Sequence, residues 1–548
     1  MDEEVKAAGA AGKWQTGHGL REPAMLIACL VFFVGFAFVD GPFFESDSAS
    51  YYSFSVFREP GYPLFLAFCR LLPGASSLLI EGYTGLYHAV FLQSLVWAFA
   101  VWRVGVCVKE IAAPAAADAD GNTADADGNV ADAPVSVRNM PALSKPALAG
   151  WGAVLIHFAT CLLHRFVSQR GALYSNSILT ESLAMPLFLV FIVQLFYLLR
   201  DSGTGRDAVA AGQAADGEKA SFTETAVNDT AARRAAAGRM NRHAWKVTAL
   251  SLLLIILRKH MTVTLLIWGF MAFLLHLVLP KTRDVRRFLL QCALILCVFV
   301  SAQLFTRLYN LAAFSSFSPQ AGSHEGMMCM FLYVSDEADA ALFREGEEAQ
   351  KQWFEEIAAA QAARGARLSD VPQGASWYER QKHFTDHYDV IGYEIVHDVL
   401  FAEAEKRLGA DAPYHEKVRL MYDLEGTLVP VLRRQGFADY LRVYADNLLA
   451  GLLASTTQIS PVLLPVTLMM FLVYAVLLIQ TAGRIFRLGD GHLDSGTNLQ
   501  TKESSPCLLF AGLVAAALLI NAGVVAAVIF SQARYDSYLM GMFYTAMG

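Results

Sequence analysis

Long apolar runs punctuated by short charged stretches make up most of this chain. The runs near residues 23–39, 83–102, 146–163, 182–199, 261–279, 288–306, 462–481 and 508–531 match the roughly 17–25 residues that carry a helix across a hydrocarbon core about 30 Å thick. Lipid offers no partners to main-chain N–H and C=O groups, so such runs are expected to be helices. A shorter run, 247–257, is read as a further span, and the closing run, 537–548, as a segment that re-enters the membrane or lies on it. The expected fold class is an all-α polytopic membrane protein of about nine to ten spans.

Basic residues gather on one side of this series. Lys6, Lys13 and Arg21 precede the first run, and Lys109, Arg138 and Lys145 separate the second from the third. Arg233, Arg234, Arg239, Arg242 and Lys246 precede 247–257; Lys281, Arg283, Arg286 and Arg287 follow 261–279; Arg484 and Arg487 follow 462–481. The positive-inside rule makes that side cytoplasmic. The loop 40–82, the segments 165–180, 258–260 and 307–460, and the chain from Arg534 onward are then expected outside.

Three parts follow. An N-terminal transmembrane module, 1–306, carries the first outer loop. An external segment, 307–460, is expected to be a mostly helical cap, since 350–363 and 388–408 place apolar residues at helical spacing between charges, and 437–455 suits a helix at the outer interface. A C-terminal transmembrane module, 461–548, closes the chain. Two cytoplasmic stretches, 112–133 and 201–237, are rich in Ala and Gly and are expected to be disordered linkers. Asp-Ala-Asp-Gly-Asn occurs from Asp118 and again from Asp125, but no glutamate closes either as a calcium loop requires, so a solvated spacer is expected.

Composition agrees with a membrane protein: 55% of the 548 residues are hydrophobic and 12% aromatic. The net charge of −7 says little about partners, because the acidic excess sits in loops, and nucleic-acid binding has no support. Of the eight cysteines, Cys29, Cys107, Cys161, Cys292, Cys297 and Cys507 lie in or beside apolar runs. Only Cys69 and Cys329 fall outside, where two free thiols are expected over a bridge. His157, His164 and His276 lack paired-ligand spacing and are read as core residues. No small-residue cleavage site follows the first apolar run, which is read as an uncleaved span.

Candidate chemistry sits at the outer ends of the runs. The loop after the first run carries Asp40, Glu45 and Asp47, then Tyr51, Tyr52 and Arg58-Glu59-Pro60-Gly61-Tyr62-Pro63. A carboxylate there can take a proton from a hydroxyl while a guanidinium holds a phosphate. A second patch, from Arg170 to Glu181, enters the fourth run; a third is Arg258-Lys259-His260; a fourth is Arg534-Tyr535. The third patch has a direct physical reading. Only residues 247–257 separate it from Lys246, and at about 1.5 Å each they fall short of a core about 30 Å thick. Its charges are expected below the outer rim, where a wet cavity or a lipid phosphate must compensate them. Any one patch alone also suits interfacial anchoring: arginines that snorkel, belt tyrosines, and a glutamate at a helix start. Their conjunction on one side carries the functional reading.

Asp47-Ser48-Ala49-Ser50-Tyr51 and the run Arg58 to Pro63 resemble the first outer loop of membrane glycosyltransferases of the C superfamily, which often reads Asp-Ser-x-x-Tyr and then Arg-x-Pro-Gly-Tyr-Pro. Thr180-Glu181 resembles the Thr-Glu that opens the fourth span in that family, and Arg534-Tyr535 its late Arg-Tyr element. The family often has Arg-Pro where this chain has Arg258-Lys259.

The resemblance implies a glycosyltransferase C-type helix bundle in the plasma (inner) membrane, with its active site on the extracytoplasmic side. It further implies a sugar donor on a polyprenyl phosphate and a lipid, glycan or protein acceptor. On this reading Asp47 is the base, Glu181 orients the acceptor or sugar, and Arg58, Arg258, Lys259 and Arg534 hold the phosphate. Glu45, Tyr51, Tyr62, His260 and Tyr535 line the substrate. No cofactor is implied with certainty; a divalent cation stays open, because members differ in metal dependence. A carrier or flippase for lipid-linked saccharides is the rival from another class, and a polymerase or ligase is the nearer one. The scarcity of charges inside the runs weighs against the carrier.

Overall fold

The computed structural model describes residues 21–77, 79–80, 82–117, 144–167, 171–215, 224–278, 284–322, 324–435, 437–490 and 498–548. Among these residues all extended regular structure is helical, and the two β-bridges, Phe43 with Ser177 and Ile80 with Tyr83, are isolated. The N-terminal part consists of α1 (Arg21–Asp40), two short helices in the first loop, α2 (Ser48–Tyr52) and α3 (Gly61–Leu71), then α4 (Leu86–Ala117), α5 (Lys145–Val167), α6 (Glu181–Ala215), α7 (Glu224–Leu257), α8 (Val263–Phe273) and α9 (Val285–Phe314). Six smaller helices follow: α10 (Glu325–Val334), α11 (Glu348–Arg364), α12 (Trp377–Asp389), α13 (His397–Leu408), α14 (Tyr414–Leu432) and α15 (Phe437–Thr456). The chain closes with α16 (Leu464–Asp490), α17 (Asn498–Val528), the single turn α18 (Ala533–Asp536) and α19 (Met540–Met547).

Eight helices among the described residues are long and apolar enough to cross a membrane: Glu22–Asp40, Leu86–Ala113, Lys145–Phe166, Glu181–Ser202, Lys259–Val278, Val285–Phe314, Pro461–Gly483 and Pro506–Val528. The expected span at 247–257 is absent from this set. It is the end of α7, whose preceding turns carry Arg239, Arg242 and Lys246 and so dilute its apolar length. In the apolar part of α6, 94% of residues are buried, against 17% for α9 and 11% for α16. A helix apolar on every face and buried on every face is a core helix; one left open, as α9 and α16 are, needs an apolar solvent.

Three clusters of buried side chains organise the packing. The largest joins α1, α4, α5, α6, α7, α8 and α17 with the C-terminal segment. A second lies within the helical segment α10 to α15 and takes in Val56 and Phe530. The third belongs to the first loop, where Tyr51, Tyr62, Leu66 and Cys69 pack with Ile178, Leu179 and Leu257. All eight cysteines are free, and Cys69 and Cys329 belong to different clusters.

Two expectations change. The stretch 201–237 is not an unstructured linker in its described parts: 201–215 continues α6 and 224–237 begins α7. Alanine is the best helix former, so an Ala-rich run next to a formed helix extends it. Of 112–133, residues 112–117 continue α4, and the rest, with the Asp-Ala-Asp-Gly-Asn repeats, lies outside the described residues. The closing run 537–548 turns back into the bundle. Phe543 stacks on Tyr474 of α16 with ring centroids 4.9 Å apart, and Met542 is fully buried.

Candidate functional site

The first loop is tied down on the strand-like segment that leads into α6. Phe43 N–H donates to Asn176 O (2.8 Å), Ile178 N–H donates to Phe43 O (2.9 Å), and Ser48 Oγ donates to Ile178 O (2.8 Å). These bonds bring Asp47, at the start of α2, close to Glu181, the first residue of α6. The loop then folds back on itself. Arg58 donates from Nε to Ser50 Oγ (2.7 Å) and from Nη2 to Asp47 Oδ1 (2.8 Å), and its guanidinium lies 4.5 Å from the centre of the Tyr51 ring.

The third patch arrives because α7 ends beside α3. Arg258 takes an extended conformation (φ −158°, ψ 121°) between α7 and the following turn. Its Nη1 lies 2.5 Å from Glu181 Oε1 and 3.3 Å from Thr180 Oγ1. The fourth patch closes the cluster from the C-terminal side. Arg534 Nη1 lies 3.1 Å from Asp47 Oδ2, and its Nε lies 3.9 Å from Glu181 Oε1. The Tyr535 ring lies under both guanidiniums, 4.6 Å from that of Arg258 and 4.9 Å from that of Arg534. Asn521 holds this turn in place, donating to Tyr535 O (3.0 Å) and contacting His260 Nε2 (3.0 Å).

Arg58, Arg258 and Arg534 thus meet Asp47 and Glu181 at one end of the bundle. Three cations face two anions, so the cluster carries a net positive charge. The Glu181 side chain is only 2% exposed and that of Asp47 28%, so Asp47 is the carboxylate an entering ligand reaches. Burial pushes the Asp47 carboxyl up, but the Arg58 and Arg534 guanidiniums and the Arg58 hydrogen bond outweigh it and hold it below the usual range.

The remaining sequence-derived candidates sit around this cluster in distinct ways. Glu45 accepts from Ser177 Oγ (3.3 Å) and belongs to the loop's anchorage. Tyr62 is fully buried, takes a hydrogen bond from Gln93 (2.7 Å) and supports Tyr51 edge-on. Lys259 is exposed, and its backbone N–H donates to Glu59 Oε1 (3.1 Å). Ser50, Glu59 and Thr180, which stand in the sequence motifs without an assigned role, are contributors, and Asn521 is one that the sequence reading did not name. The cap adds others: the charges of Arg58 and Asp47 bear on Glu325 and Tyr393, and those of Arg534 and Asp47 on Asp389. Burial, above all, pushes the Glu325 carboxyl up to about 7. No spacing in the chain signals these cap residues, because they meet the loop only through tertiary packing. Among the described residues no three His, Cys, Asp or Glu side chains are grouped as metal ligands. Compared with known proteins, the chain matches no family model, no curated protein and no solved structure.

Proposed function

We propose that this chain is a membrane glycosyltransferase with a C-superfamily fold that moves a sugar from a polyprenyl-phosphate donor to an acceptor hydroxyl on the extracytoplasmic side. The observation that carries this reading is the meeting of Arg58, Arg258 and Arg534 around Asp47 and Glu181. Partly dehydrated guanidiniums in net excess attract the monoanionic phosphodiester of the donor far more than they would in water, and favour still more the dianionic polyprenyl phosphate that leaves. As the donor phosphate enters, Arg58 and Arg534 turn toward it and release Asp47, which then accepts the proton of the attacking hydroxyl. The new C–O bond forms at the anomeric carbon as the bond to phosphate breaks, and the leaving phosphate keeps that electron pair. Attack opposite the phosphate inverts the anomeric centre. The guanidiniums stabilise the leaving group, so little general-acid help is needed. Glu181 stays bound to Arg258 and orients it.

Purified wild-type, Asp47→Asn, Arg58→Ala and Arg58→Lys proteins test this with a panel of polyprenyl-phosphate sugars. Asp47→Asn should bind donor and transfer roughly 10²-fold more slowly or worse. Arg58→Ala should lose donor affinity, with Arg58→Lys in between, since a point cation holds phosphate without the bidentate geometry. Donor binding without any transfer by the wild type would replace the transferase reading with a carrier.

A further inference from the structure

Below the cluster, α1, α4, α5, α6, the 173–175 stretch and the C-terminal segment together line a cavity of about 30 Å³. Its lining mixes apolar side chains with polar ones, among them Trp97, His157, Ser175 and Ser537. Trp97, His157 and Ser537 are at least nine-tenths buried, and Trp97 Nε1, His157 Nε2 and Ser537 Oγ have no hydrogen-bond partner among the described residues. The three atoms are chemically complementary. The indole N–H can only donate. His157 Nδ1 lies 2.8 Å from Ala153 O, which can only accept, so Nδ1 carries the proton and Nε2 presents its lone pair. The Ser537 hydroxyl does either.

The wall that closes the cavity is the segment that also builds the site. Ser537 and Tyr538 follow Arg534 and Tyr535 directly, and the charges of Arg258 and Glu181 bear on the Tyr538 hydroxyl. Gly541 lies against the His157 ring so closely that a Cβ there would be 2.6 Å from Cδ2. Dry cavities in proteins are apolar, whereas a donor, an acceptor and a hydroxyl around a space this size form a site for water.

We propose that this cavity is a water-binding site, holding one or two ordered waters that join Trp97 of α4 and His157 of α5 to Ser537. The waters pin the returning C-terminal segment under the arginine cluster. This proposal does not depend on the glycosyltransferase reading.

Ser537→Ala gives a test by sign, because it removes one hydroxyl and little volume. If water bridges the three groups, the variant loses an anchor and its Tm falls, by roughly 1–2 °C; His157→Gln, which keeps an acceptor, should fall less than His157→Leu. If the cavity is dry, Ser537→Ala deletes an unpaired buried hydroxyl and its Tm stays level or rises, which overturns the proposal. A density map of the full chain at a resolution that shows waters should place a peak within hydrogen-bond distance of Trp97 Nε1 and His157 Nε2. An empty cavity in such a map would overturn it regardless of the Tm values.

Discussion

Glu181 lies deepest in the arginine cluster, and its loss has two opposed consequences. Arg258 loses its ion-pair partner, and removing one member of a buried pair costs about 3–5 kcal/mol. The positive excess of the cluster also grows by one charge, which favours an anion. Glu181→Gln should therefore be markedly less thermostable than wild type, and inorganic phosphate should restore more of its Tm than it adds to the wild type. Equal responses to phosphate would remove Glu181 from the electrostatics of the site. Glu325 makes a separate prediction. Its carboxyl is pushed up from an ordinary value of 4.5 to about 7, so the folded state holds a proton that the unfolded state releases. Its contribution to stability is then greatest below the unfolded pKa and is lost as pH rises toward the folded one. The Tm of Glu325→Gln should decline less than that of wild type between about pH 5 and pH 7. Parallel curves would show that Glu325 does not titrate in this window.

At the scale of elements, the contact between α3 and the end of α7 decides where Arg258 points. Gly61 begins α3 with its Cα against the backbone of Ile256 and Leu257, and a Cβ there would lie 2.9 Å from Ile256 O and Leu257 N. Backbone atoms cannot rotate away as a side-chain tip can, so Gly61→Ala must push the two helices apart. A destabilisation of about 1–3 kcal/mol is expected, together with weaker binding of polyprenyl phosphate as Arg258 leaves Glu181. Gly35→Ala in α1, with nothing within 4 Å, is the control and should change neither. Unchanged lipid-phosphate affinity in Gly61→Ala would mean that the α3 contact does not position Arg258. The same contact explains why the fifth apolar run is short: α7 need only reach the level at which Gly61 and Glu181 meet its end.

For the whole molecule, the basic-residue bias predicts that the arginine cluster is extracytoplasmic. Ser53 is exposed in the first loop, so a cysteine placed there in a cysteine-free background should react with a membrane-impermeant thiol reagent in intact cells. Reaction only after permeabilisation would invert the topology. Much of the architecture was legible along the chain, because crossing lipid imposes length and apolarity on each run locally: each of the eight membrane-scale helices among the described residues overlaps one of the eight long apolar runs, and only the short run 247–257 is not among them. The cap's helices were legible for a similar reason, their apolar residues recurring at helical spacing. Asp47 and Arg58 could be paired as well, since one short loop holds both. The remaining contacts join residues far apart in sequence. That Arg534 reaches Asp47, that Asn521 holds the Tyr535 turn, that Tyr62 is buried support for Tyr51, and that Glu325 comes near the loop all follow from how helices pack. So does the return of 537–548 into the bundle. A linear pattern records how much apolar surface each segment must bury; which segment buries it, and which polar groups are carried together as a result, is settled only when all the segments compete for the same interior.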